Sequence, residues 1–501
     1  IEYMARQSAS STSQHPLIAN WTLHRWINRQ ALMPVVCLSF LLTFASTNVQ
    51  AELPANANAL KWYKAGQSFV KQQKRFTRGK KRAKNVILFV GDGMSITTVT
   101  ASRIYEGQMN GANGEEHMLS FENFPHTALS KTYAVDRQVA DSAPTATAMM
   151  TGVKTRFRTL GVDASASHGD CQNGHLRTLL ESAEIKGLST GFVTTTRATH
   201  ATSAATFAHA IERDYESEGG GCADIAQQLI EFPFGDGLEV AMGGGRQMFI
   251  PVSEGGKRKD GRDLTAEWQA KYKGATYVTD TASLKSVDKN TDHLLGLFSD
   301  SHMSFSELRD KSPKGEPSLT EMTGKAIELL QKNRKGFFLM VEGGRIDHGH
   351  HAGIAKLALT ETIEFSNAIR RATELVGSDT LIIVTADHSH TMTMAGYPRR
   401  GNPILGFAGR DANDRRYTTL TYANGPGHRD PTKEGVELDL SNTDTEAFDF
   451  KQAAAVPLRF ETHGGEDVAI YASGPGSQWI NGVMEQNVIF HVMNEALLGG
   501  K

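Results

Sequence analysis

With 501 residues, the chain is long enough for one large α/β domain with insertions, or for two or three ordinary domains. Its 53 Lys and Arg against 55 Asp and Glu exclude a global field that would draw in nucleic acid or an anionic membrane, so any anion must be captured locally. A hydrophobic content of 39% with 48 glycines excludes a disordered chain and fits a folded protein with many tight turns.

Residues 1–51 read as a signal peptide. His24, Arg25 and Arg29 precede an apolar run over residues 31–45 that is too short to span a bilayer comfortably, and Val49-Gln50-Ala51 offers small residues for cleavage. The competing readings are a buried helix and a retained anchor. Cleavage implies export to the periplasm or extracellular space, with no membrane span left after processing. Residues 52–501 then keep two cysteines, Cys171 and Cys222, in an oxidising compartment. They either pair or remain two inert thiols, and the even count favours pairing.

A lysine-rich lead-in over residues 52–84 reads as solvated surface. Residues 86–90 are continuously apolar and stop at Gly91-Asp92-Gly93, which suits a buried parallel strand ending in a sharp loop. Asp141-Ser142 then leads into small residues that suit a helix start. Residues 178–183 are helix-like, and residues 191–195 form a shorter strand leading to Arg197 and His200. The strand form returns at 337–341, running into Glu342, and at 381–385, running into Asp387-His388; between them residues 358–365 are helix-like. This βαβ alternation predicts an α/β fold: a large, doubly wound, mainly parallel sheet flanked by helices, binding its ligand outside the carboxyl ends of the strands. The segments of about 245–320 and 395–460 are Gly-, Asp-, Asn- and Arg-rich with poor periodicity, and are expected to be surface insertions.

A carboxylate at the end of a buried strand is costly unless a cation faces it. Asp92, Glu342 and Asp387 pose that problem three times, which turns the reading from helix caps or turns toward metal. Asp347-His348-Gly349-His350-His351 places Asp347 and His351 four residues apart, on one helical face, with spacing that suits zinc. Asp387-His388 adds an oxygen and a nitrogen donor, and His463 adds another nitrogen in a glycine-rich turn. Together these supply two N/O sites of the kind zinc prefers and an oxygen-rich one suited to magnesium. Ser142, just ahead of a helix, presents its hydroxyl at the positive end where a phosphate is welcome; alone, Ser142 or Asp141 reads as a helix cap. With no neighbouring histidine in sequence to act as base, a metal must activate the serine.

These motifs, taken in order over about residues 84–495, resemble the alkaline phosphatases, and more closely the animal branch than the enterobacterial one: Val90-Gly91-Asp92-Gly93-Met94-Ser95, Asp141-Ser142-Ala143-Pro144-Thr145-Ala146, Val341-Glu342-Gly343-Gly344-Arg345-Ile346-Asp347-His348, Thr385-Ala386-Asp387-His388-Ser389 and Thr462-His463-Gly464-Gly465-Glu466-Asp467. The resemblance implies two zinc ions and one magnesium ion per subunit. Asp347, His351 and His463 would hold one zinc; Asp92, Asp387 and His388 the other, with Ser142 as exchangeable ligand; Asp92, Thr202 and Glu342 the magnesium. It also implies that Arg213 clamps the phosphate oxygens, that His200 replaces an enterobacterial Asp beside the magnesium, that His348 replaces a Lys and reaches phosphate through water, and that Cys171 and Cys222 form a disulfide. The implied reaction is hydrolysis of small-molecule phosphate monoesters through a phosphoserine, favoured at alkaline pH. The resemblance further implies a homodimer, with a crown-like subdomain formed by residues 395–460 near its interface. The rival readings are a phosphodiesterase or sulfatase on the same scaffold, and an exported phosphate- or metal-binding protein without turnover. A sulfatase needs a Cys- or Ser-x-Pro-x-Arg motif, and Ala146 occupies the last position here.

Overall fold

Residues 85–91 are buried at every position, as in a strand covered on both faces; Val86 to Val90 are apolar, and Asn85 is satisfied by donating to the Thr380 hydroxyl at 3.0 Å. Val86, Leu88 and Val90 pack into one core layer, while Ile87 and Phe89 pack into the other, as the two-residue period of a strand requires. The computed structural model describes residues 53–76, 82–433 and 436–499. The expected signal peptide lies outside the described residues.

Ten strands form the main sheet: β1 (Asn85–Gly91), β2 (His126–Lys131), β3 (Ser189–Arg197), β4 (Val240–Gly244), β5 (Thr276–Val278), β6 (Leu294–Leu297), β7 (Phe337–Gly343), β8 (Thr380–Ala386), β9 (Val468–Ser473) and β10 (Gly482–Glu485). Their spatial order is β10-β2-β9-β8-β1-β7-β3-β4-β6-β5. Of these, β9 alone runs antiparallel to its neighbours β2 and β8. The sheet is therefore α/β and mainly parallel, with helices on both faces.

Register fixes where the acidic residues fall. Val90 pairs with Glu342 on one side and with Thr385 on the other, and Thr194 also pairs with Glu342. Asp92, Glu342 and Asp387 thus reach the same rim of the sheet, at the carboxyl ends of three adjacent strands. Four helices matter to the site: α1 (Ser142–Thr151), α2 (Ala201–Ala204), α3 (Arg345–His351) and α4 (Ala355–Leu375). The last packs Phe365 and Ile369 beneath β1 and β7 and holds α3 in place.

The 245–320 segment differs from expectation. It supplies β5 and β6, and a helix, Leu264–Lys271, whose Trp268 is fully buried. Its short elements gave no periodic signal, yet Leu294, Leu295 and Leu297 are core residues. Residues 395–460, by contrast, stay out of the main sheet. They contribute a hairpin, Phe407–Arg410 with Arg416–Thr418, and the strands Leu420–Gly425 and Ala454–Pro457, which join Met392–Met394 in a small sheet.

Candidate active site

Chain reversals deliver the site's side chains. Gly93 follows Asp92 with φ +68°, and a Cβ there would lie 2.3 Å from the His390 ring, so only glycine allows this turn. The Gly93 N–H donates to Asp387 Oδ1 at 3.0 Å, which ties the end of β1 to the end of β8. His463 returns from the 395–460 excursion in a two-residue antiparallel pairing, His463 opposite His390 and Gly464 opposite Ser389.

Ser142 opens α1 and is 2% exposed. Asp141 occupies the N-cap position without a side-chain capping bond. Its carboxylate instead accepts from the Arg158 N–H at 2.9 Å and from Arg213 Nη1 at 2.8 Å. The helix-cap alternative for this pair is therefore replaced by two other duties: Asp141 anchors Arg213, and Ser142 faces the carboxylates.

Ser142 Oγ lies 3.2 Å from His388 Nε2 and 3.5 Å from both oxygens of Asp92. His388 Nε2 is in turn 3.3 Å from Asp92 Oδ1 and 3.3 Å from Asp387 Oδ2. This is not a Ser-His-Asp relay, which needs serine and carboxylate on opposite nitrogens of the ring. Here all of them converge on the same nitrogen. Four bonds of about 2.0–2.1 Å in a tetrahedron set ligand atoms about 3.3–3.4 Å apart, which is the spacing found.

A second cluster repeats the geometry. Asp347 Oδ1 lies 3.2 Å from His351 Nε2 and 3.4 Å from His463 Nε2, and the two Nε2 atoms are 3.2 Å apart. The other nitrogen of each ring faces a carbonyl: His351 Nδ1 that of Glu461 at 2.5 Å, and His463 Nδ1 that of Ala140 at 2.8 Å. A carbonyl only accepts, so each Nδ1 carries the proton and each Nε2 points a lone pair at the other. Two lone pairs and a carboxylate facing one another fit a cation. The His388 and His463 rings stack at 3.6 Å, so the two clusters adjoin.

A third cluster is richer in oxygen. Asp92, His200 and Glu342 offer mutually close ligand atoms. Glu342 Oε2 accepts from Thr194 at 2.5 Å and Thr196 at 3.2 Å, while its Oε1 and Asp387 Oδ2 are buried without a hydrogen bond. Thr202 is buried beside the Glu342 carboxyl. Burial, then the neighbouring Asp387, pushes Glu342 up to about 7. Burial and the Asp387 carboxylate raise Asp92 well above the usual carboxylate range, and burial raises Asp387 as well. Buried carboxylates held this close favour either protons or metal. Asp347 goes the other way: burial opposes its ionisation, but His351, His390 and His463 hold it well below the usual value.

Arg213 also contacts the third cluster. Its Nη2 lies 2.9 Å from His200 Nε2, so the guanidinium bridges Asp141 and His200 next to Ser142. His348 lies 2.9 Å from Arg345 through Nδ1. Burial, reinforced by Arg345, lowers its pKa to about 3. Cys171 and Cys222 are bonded, with Cα atoms 5.4 Å apart; the loop they close contains His200 and Arg213.

Every residue expected at the site therefore lies in this one region, and sequence reasoning missed three more. His390 Nε2 sits 2.7 Å from Asp347 Oδ1 while its Nδ1 meets Glu461. Burial opposes its charge, but Glu461 and Asp347 raise it to about 10. The spacing His388-x-His390 was the available signal, since alternate strand residues share a face. His302 joins His200 and His348, with ring centroids 5.3 and 4.3 Å away. It comes from the segment read as an insertion, and nothing local marked it.

The alkaline phosphatase family model matches residues 83–498. The tissue-nonspecific isozyme of alkaline phosphatase from Gallus gallus is 44% identical over 441 residues, 82% of this chain and 84% of that protein. The Homo sapiens tissue-nonspecific isozyme is 44% identical over 440 residues, 82% and 83% of the two chains, and the alkaline phosphatase of Gadus morhua is 43% identical over 454 residues, 85% and 94%. Among solved structures, the Thermus thermophilus alkaline phosphatase matches with a TM-score of 0.63 and 27% identity, covering 84% of this chain and 92% of that one. That of the Antarctic bacterium TAB5 matches with a TM-score of 0.60 and 26% identity, over 84% and 99%. A site of two nitrogen-and-oxygen clusters around a buried serine, on a fold and sequence shared this widely, leads to one conclusion: the chain belongs to the alkaline phosphatase family.

Proposed function

We propose that this chain hydrolyses phosphate monoesters through a phosphoserine on Ser142, in a site holding two zinc ions and one magnesium ion per subunit. Phosphomonoester hydrolysis is the reaction of the family. Asp347, His351 and His463 hold the first zinc, Asp92, Asp387 and His388 the second, and Asp92, Thr202 and Glu342 the magnesium. When bound, these ions supply Lewis-acid stabilisation of the attacking and leaving oxygens and lower the pKa of the serine hydroxyl. The observation that carries this reading is the ligand spacing of 3.2–3.4 Å around His388 Nε2 and between His351 and His463.

The chain's own groups do the rest. Arg213, braced by Asp141, presents a planar fork to the nonbridging oxygens and orients the phosphoryl group for in-line attack. The start of α1 adds backbone N–H groups at the positive end of a helix. Ser142 Oγ loses its proton and bonds to phosphorus as the ester oxygen leaves with a proton. Water then displaces Ser142, which regains its hydrogen as phosphate departs. His200 and His348, held neutral by burial and nearby arginines, line the phosphate side without adding charge.

The disulfide supports an exported enzyme, periplasmic or extracellular. No helix among the described residues is long and apolar enough to cross a membrane. The test is hydrolysis of p-nitrophenyl phosphate against bis(p-nitrophenyl) phosphate, with and without chelator. This reading requires monoester turnover that dominates, disappears on chelation and returns with zinc plus magnesium; preference for the diester contradicts it.

A further inference from the structure

Among the described residues, Arg158 is one of two non-glycine residues with positive φ, at +66°. That conformation is costly for a residue with a Cβ, and it persists where the surroundings dictate it, as at ligand clamps. Glycine adopts it freely, so the use of an arginine here has to be sought in what its side chain holds.

The segment around Arg158 runs beside the arm that carries Arg213. Leu160 and Ala210 exchange both backbone hydrogen bonds, at 2.9 and 2.8 Å, and the Thr159 hydroxyl donates to the Ile211 carbonyl at 3.3 Å. The Arg158 N–H donates to Asp141 Oδ1 at 2.9 Å, and the Arg158 carbonyl accepts from the Arg213 N–H at 2.9 Å. Asp141 takes Arg213 Nη1 on its other oxygen, at 2.8 Å. These bonds close a ring through Asp141, Arg158 and Arg213, and Asp141 is the residue before Ser142.

The Arg158 side chain grips the arm on both sides of Arg213. Its Nε donates to the two Glu212 oxygens at 2.9 and 3.0 Å, while Nη2 lies 2.7 Å from Glu212 Oε1 and also donates to Asp214. Residues 211–215 lie in neither helix nor strand, so no regular ladder of their own holds Arg213 still. Exposed ion pairs add little to stability, and the Arg158 side chain is 38% exposed. A planar fork on the two carboxylates that flank one residue does, however, fix that residue's place.

We propose that Arg158 is a positioning residue for phosphoryl transfer: it sets where the Arg213 guanidinium stands relative to Ser142 and acts only through Arg213. The inference rests on Arg213 being the phosphate clamp. Glu212 and Asp214 engage the Arg158 guanidinium, which leaves the phosphoryl oxygens to Arg213.

A double-mutant cycle on the zinc- and magnesium-loaded enzyme tests this, with p-nitrophenyl phosphate as substrate and inorganic phosphate as inhibitor. Arg158→Gly keeps both backbone groups and relieves the positive φ, so it removes only the side-chain grip. R158G is expected to lower kcat/KM by about tenfold and to raise the phosphate inhibition constant alongside it, as a misplaced clamp does. In an R213A background the same change should shift either quantity by less than about twofold, because residues that act as one unit do not add. R158K should recover only part of the loss, since an ammonium cannot reproduce the fork. Glu212→Gln leaves the Arg158 backbone untouched and carries the same cycle, with a smaller expected loss, if R158G folds poorly. An equal loss from R158G with and without Arg213 overturns the proposal, as does unchanged turnover and phosphate inhibition in R158G alone; the clamp reading survives either result. Unchanged phosphate inhibition and kcat/KM in R213A itself overturn the clamp reading and the proposal together.

Discussion

His351 and His463 meet nitrogen to nitrogen, their Nε2 atoms 3.2 Å apart, while the carbonyls of Glu461 and Ala140 fix the opposite side of each ring. The protein spends second-sphere hydrogen bonds to hold two lone pairs in mutual repulsion. That arrangement makes sense around a cation, and much of what can be measured on this enzyme follows from it.

Removing the metals should make stability fall with pH. Without cations, Glu342 titrates at about 7, raised first by burial, against about 4.3 in an unfolded chain. A raised carboxyl pKa contributes stability that is whole below the unfolded value and lost as pH rises through the folded one. Asp92 and Asp387 are raised in the same direction. Calorimetry of chelated protein should show the midpoint dropping between about pH 5 and about pH 8, a drop that zinc plus magnesium abolishes. A flat profile for the metal-free protein contradicts this picture of the carboxylates.

His390 positions a ligand rather than touching substrate. It donates to Asp347 and is kept charged by Glu461. Replacing it with alanine should weaken zinc binding by about 10–100-fold, the usual effect of losing such a partner. Activity of His390→Ala should then recover as zinc is raised, with a KM near the wild-type value. A kcat loss that excess zinc does not repair assigns His390 a different role.

Arg213 is held in a fixed fork by Asp141. Arg213→Ala should lower kcat/KM by about 10–100-fold, or about 1.4–2.7 kcal/mol, through lost charge-assisted hydrogen bonds to the phosphoryl oxygens. Arg213→Lys should recover only part of this, because a point charge cannot reproduce the planar pair of donors. Inhibition by inorganic phosphate should weaken in parallel, since product and substrate share the clamp. Unaltered phosphate inhibition in Arg213→Ala would place the clamp elsewhere.

Much of this site was legible because strand ends are. Three apolar runs that each end in an acid announce both a parallel sheet and the rim where its ligand sits, and the pairing of Val90 with Glu342 and Thr385 makes that literal. What escaped had weaker local grammar. Strands β5 and β6 are three and four residues long, too short for a period, so their segment read as surface. His302 acts only through distant partners, His200 and His348. Ser142 was ambiguous for the opposite reason: a serine at a helix start has an ordinary explanation. It was set aside only once Asp141 proved to be bound to Arg158 and Arg213 instead of capping the helix.

The central claim is that a metal cluster turns this ordinary serine into the nucleophile. It is tested most directly by quenching the zinc- and magnesium-loaded enzyme in acid during turnover of a phosphate monoester and locating covalent phosphate by peptide mass spectrometry. The account predicts one phosphoryl group on Ser142, absent after chelation, and loss of nearly all turnover in Ser142→Ala. Phosphate on another residue, or wild-type turnover by Ser142→Ala, contradicts it.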